Sequence, residues 1–105
     1  MLLTQEHKDK VMSIKLVTGD EIIAKIVDES SEDFILERPL RLLLQPVDGQ
    51  GNMSLTFAPI ALAYNIDLVS TVSVYKHSVA FLHEAPAEIE KHYLAQASGI
   101  KLATQ

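Results

Sequence analysis

Residues 11–26 read Val-Met-Ser-Ile-Lys-Leu-Val-Thr-Gly-Asp-Glu-Ile-Ile-Ala-Lys-Ile, and this stretch decides the fold class. Val11, Ser13, Lys15 and Val17 fall on one face of the first segment, with Met12, Ile14 and Leu16 on the other. Beyond Gly19-Asp20, Ile22, Ala24 and Ile26 share a face, while Glu21 and Lys25 point away. A period of two is the spacing of an extended strand, whose successive side chains leave the sheet on opposite sides. Gly19 supplies the backbone freedom that a tight turn needs. The pattern predicts an antiparallel hairpin.

Outward from the hairpin, Asp28-Glu29-Ser30-Ser31-Glu32 is a polar, turn-like break. A third strand is expected from Asp33 to about Leu44, interrupted at Arg38-Pro39. Proline cannot donate to a ladder, so it denotes a bulge, an edge or a bend. Pro46 to Asn52 reads as a short hairpin loop, and Met53 to Tyr64 as another strand with an irregularity at Pro59. Asn65-Ile66-Asp67 suits a bend or small insertion. Thr71–Tyr75 and Ser78–Leu82 are β-rich runs joined by Lys76-His77, a link short enough to allow only a sharp corner.

After Ala85 the period changes. Pro86 suits a first helical position, Glu88 and Glu90 complement the positive end of a helix dipole, and Gly99 suits a C-terminal stop. Ile89, Tyr93 and Ala97 make one apolar stripe, so residues 86–98 are expected to form a short amphipathic helix docked on the sheet or on a neighbour. The expectation is one mainly β domain over residues 1–105: a small, strongly bent antiparallel barrel over about 11–83, then the C-terminal helix.

Composition bounds the function. Hydrophobic residues make up 48% of the chain, with three Phe, three Tyr and no Trp, so the excess is aliphatic and points to a subunit interface. The absence of cysteine excludes disulfides, zinc-thiolate sites and thiol catalysis. Met1 to Lys8 lacks the apolar run of a signal peptide, and no stretch approaches the ~18 apolar residues of a membrane span. A cytoplasmic location and no membrane partner are therefore expected. The net charge of −5 disfavours a generally basic nucleic-acid coat but leaves room for a compact local site.

His7, His77, His83 and His92 lack metal-ligand spacing. No Gly-rich phosphate loop precedes a helix, no nucleophile sits in an elbow, and Asp28-Glu29 lies in a turn where solvation accounts for it. No enzyme activity, cofactor or metal is expected.

Two segments resemble the Sm/LSm family. Ile14 to Ile26 is similar to the first Sm motif, with Ala24 where the family usually has a second glycine. Val74-Tyr75-Lys76-His77-Ser78-Val79 resembles the second motif in its bacterial, Hfq-like form. The two segments span under a fifth of the chain. The small Sm-like proteins of marine tailed phages are also similar, in the Arg38-Pro39-Leu40 bend and the Pro86-to-Tyr93 helix.

The resemblance implies an Sm-like (SH3-like) barrel in a homo-oligomeric ring of roughly five to seven subunits, built by edge-strand pairing. It implies single-stranded RNA at the pore, held by Tyr75, Lys76 and His77. In one register Asp33 takes the place of a base-reading Asn; in another, Phe34 takes the place of a stacking aromatic. Both registers stay open, as do core packing for Phe34 and Tyr75 and a plain solvated corner for Lys76-His77. The alternative reading is a structural or protein-interaction ring that has lost the RNA site. The family's helix usually precedes the barrel, and Leu43 to Val69 is longer than the corresponding Hfq-like loop.

Overall fold

The computed structural model describes residues 8–60 and 71–103, with side chains described through residue 97. Its elements are β1 (Val11–Leu16), β2 (Glu21–Glu29), β3 (Asp33–Pro46), β4 (Met53–Ala58), β5 (Thr71–Tyr75), a 3-10 turn (Lys76–Ser78), β6 (Val79–Glu84) and α1 (Ala87–Ala103). All six strands belong to one sheet of order β4-β3-β2-β1-β6, with β5 paired to β3, and every strand pair is antiparallel.

The expected hairpin is β1–β2, in register from Val11 opposite Lys25 to Lys15 opposite Glu21. Its turn carries Gly19 at φ +100°, where any other residue would be strained. Both faces of β1 are buried, which its alternation of apolar and small polar residues allows. Met12 and Ile14 join Ile22, Ala24, Ile26, Phe34 and Leu36 in one apolar cluster. Val11, on the opposite face, packs with Ile23, Leu40, Tyr93 and Ala97 in a second. Buried Ser13 is satisfied by donating its hydroxyl hydrogen to the Glu21 carboxylate.

The Arg38-Pro39 irregularity is a β-bulge. Lys25 opposes Glu37 and Ile23 opposes Leu40, so two residues of β3 face the single Ala24 of β2. Arg38 sits at φ +48°, an unusual conformation for a side chain with a Cβ. A bulge bends its strand. Before it, Asp33 to Glu37 pair with β5; after it, Arg41 to Pro46 pair with β4. One strand thereby changes partner along the same edge. No pairing between β5 and β6 closes the sheet among the described residues.

Helix α1 docks on the sheet of its own chain. Tyr93 and Ala97 are buried, Ile89 is partly so, and the Tyr93 hydroxyl donates to the carbonyls of Arg38 (2.8 Å) and Glu37 (3.2 Å) at the bulge. The helix starts at Ala87, with the Pro86 carbonyl accepting from Glu90 N–H, so Pro86 caps it from one position earlier than expected. It also runs through Gly99 to Ala103, past the expected stop at 98. A lone glycine costs a helix only about 1 kcal/mol, too little to end one already anchored by packing.

Strand β4 ends at Ala58, just before Pro59, where the irregularity was expected. The remainder of the expected strand from Ala61 to Tyr64, the Asn65-Ile66-Asp67 bend and His7 lie outside the described residues. No helix among the described residues is long and apolar enough to cross a membrane.

Candidate functional site

The corner between β5 and β6 is a single 3-10 turn, Lys76–Ser78, entered from extended Tyr75 and left at extended Val79, whose N–H bonds to the Lys76 carbonyl. Two further backbone bonds fix its position. Lys76 N–H donates to the Glu32 carbonyl (2.7 Å), and Val17 N–H donates to the Ser78 carbonyl (2.8 Å). The turn is therefore strung between the β2–β3 turn and the β1–β2 turn, which brings residues 74–79 beside the end of the first hairpin.

Alternation along this corner separates its side chains. Tyr75 and His77 are exposed and stack on each other, ring centroids 5.3 Å apart and planes 13° from parallel. Lys76, between them, turns inward. Its ammonium pairs with the Glu29 carboxylate and lies 5.1 Å from the centroid of the Phe34 ring. The two charged side chains retain only 24% and 12% of their accessible surface. A cation over an aromatic face gains from the ring quadrupole, more so when water is excluded.

Asp33 and Phe34, the two residues expected as alternatives for a base contact, open β3 directly beside the corner. Asp33 is in register with Tyr75, and Phe34 with Val74. Phe34 is buried in the first apolar cluster. Asp33 has one carboxylate oxygen, Oδ1, shielded from solvent and without a hydrogen-bond partner. All five expected site residues thus converge on one end of the sheet. They divide into an exposed ring pair, Tyr75 and His77, and an inner set of Asp33, Phe34 and Lys76.

Glu29 is the member that sequence reasoning missed. It reads as part of a solvated turn, and nothing in the chain announces a partner 47 positions away. Phe81 and His83 were also passed over, although their signal was legible. They stand two apart on β6, where a strand puts both on one face, and their rings stack at 6.0 Å and 17°.

The acidic surroundings limit what the corner can do. Asp28, Glu29, Glu32 and Asp33 border a turn with one lysine, itself already paired. Phosphate gains little there, whereas a flat, uncharged π face is compatible with the stacked pair. Among the described residues no cluster of three or more His, Asp or Glu could hold a metal ion. In sequence comparisons no family model matches the chain, and no curated protein matches it significantly.

Proposed function

We propose that this chain is an Sm-like ring module that binds single-stranded RNA by stacking bases on the Tyr75–His77 pair. The observation that carries the reading is that pair: two parallel, exposed rings at a corner between the last two strands. Aromatic stacking contributes roughly 1–3 kcal/mol per base and tolerates any sequence, because every base has a π face.

In this reading the bent sheet serves as the barrel. Strands β5 and β6, each paired on one side only among the described residues, join neighbouring subunits edge to edge. A ring repeats the corner around one axis, so weak sites sum through effective concentration. Lys76 then works chiefly as an internal latch on Glu29 rather than as a phosphate ligand.

The test is a titration of labelled oligo-U and oligo-A against the protein and its Tyr75→Ala variant. Binding that falls at least tenfold in the variant is expected. A shallow salt dependence should accompany it, since few phosphates are neutralised. No binding to either strand by an intact oligomer overturns the RNA role. It would leave the second reading, a protein-interaction ring, which the prior pairing of Lys76 with Glu29 favours.

A further inference from the structure

The β3–β4 hairpin reaches beyond the part of the sheet that α1 covers. In its register Leu42 opposes Phe57, Leu44 opposes Leu55 and Pro46 opposes Met53, so these three pairs share one face. The first pair is packed beneath the helix, where Phe57 meets Tyr93 edge-on at 6.3 Å. The next two are not covered: Leu44, Leu55 and Met53 expose 61%, 49% and 53% of their surfaces. With Val47 at the tip, this hairpin holds four of the eight exposed large hydrophobic residues among the described ones.

Strand β4 also pairs only with β3, so its outer edge meets no other strand among the described residues. Monomeric proteins protect such edges with lysine, internal proline or a bulge. Met53-Ser54-Leu55-Thr56-Phe57-Ala58 has no charge and no proline, and pairs with β3 over six consecutive positions without a bulge. Beside it, a groove of about 680 Å³ separates β4 from the α1 residues Glu88, Ile89, His92 and Gln96.

We propose that β4 pairs with β4 of a second copy, antiparallel, about a two-fold axis through Leu55. The strand is complementary to itself about that point. Leu55 then faces Leu55 of the partner subunit, Met53 meets an aromatic ring, Phe57, and Ser54 meets a threonine, Thr56. The apolar face is shared by both copies, as an isologous contact requires. Methionine against an aromatic edge is a favourable pair. No like charges meet along the strand itself, although the chain carries −5, because Met53 to Ala58 has none. This contact uses neither β5 nor β6 and does not depend on the ring or RNA reading.

Two variants test it. Leu55→Lys puts two ammonium groups on the axis, and light scattering is expected to show half as many chains per particle. That ratio holds whether the wild type is a dimer or two rings face to face, so failure of the ring leaves it intact. Leu55→Cys adds the only thiol in the chain. Directly opposed residues of an antiparallel pair lie about 4.5–5.5 Å apart, within disulfide reach. Mild oxidation should give a covalent dimer at Leu55→Cys and none at Val47→Cys, whose hairpin tips point away from each other. An unchanged particle mass in folded Leu55→Lys, or no crosslink at Leu55→Cys, overturns the proposal and leaves the edge to a different protein.

Discussion

Glu29 and Lys76 form an ion pair whose side chains are largely withdrawn from water. Desolvation costs such a pair much of its Coulomb gain, so its presence stabilises little, but removing one partner leaves the other stranded. Because both groups keep some solvent, screening reduces the penalty. Lys76→Ala is expected to lower unfolding stability by about 1–3 kcal/mol, with Glu29→Gln milder because its amide can still accept from Lys76. Urea denaturation of the two variants checks the order. Asp48 offers a pH test in the β3–β4 loop. The Asn52 side-chain amide, and then the Gln50 backbone N–H, bond to its carboxylate and hold its pKa below the ordinary aspartate value of 3.8. A depressed carboxylate favours the folded loop above the ordinary value and loses that effect as pH falls through the lowered one. The protection of the Gln50 amide, its exchange rate relative to an unstructured peptide at the same pH, is expected to hold at pH 5 and to fall only below the ordinary aspartate range. Asp48→Ala should lack that protection at both.

At the scale of elements, the bulge in β3 and the helix α1 depend on each other. The bulge places Arg38 in a left-handed conformation and turns two carbonyls toward the helix. Tyr93 closes that gap with one hydroxyl while its ring fills the second apolar cluster. Tyr93→Phe keeps the ring and strands the carbonyls, at a cost of about 1–2 kcal/mol. Tyr93→Ala also opens a cavity, for about 3–5 kcal/mol. If calorimetry found the two variants equally stable, the ring would contribute nothing beyond its hydroxyl. The same bulge lets β3 serve β5 at one end and β4 at the other. The corner site and the projecting hairpin therefore share one strand, and they stand at its opposite ends.

At the scale of the molecule, the surface is uneven in charge and apolarity. Apolar exposure collects at the β3–β4 hairpin and along the outer strands, including Phe81 on β6 at 56%. Carboxylates collect at the turn beside the corner. If β6 joins a neighbouring β5 in a ring, Phe81→Glu places a charge in that seam and should reduce the particle to its smaller unit. Leu55→Lys should affect only the two-fold contact. Native mass spectrometry of the two variants and their combination separates the seams. A wild-type mass for Phe81→Glu would show that β6 is not buried between subunits.

The sequence by itself determined the β1–β2 hairpin, the strand character of β5, the break at Arg38-Pro39 and the stripe Ile89-Tyr93-Ala97. Each is a local matter: side-chain period, a glycine turn, a proline without an N–H, a helical repeat. The five residues that gather at the corner were singled out by the resemblance of two segments to a known family, not by any local pattern. Only the tertiary structure decided which of them meet solvent. Lys76 turned inward because Glu29, 47 positions away, and the Phe34 ring lie beneath it. The length of α1 was likewise decided outside the local code, since its packed residues anchor it on Val11, Ile23 and Leu40 and outweigh one glycine. Charge pairing and burial between distant segments leave no periodicity to read, so these features came only with the fold.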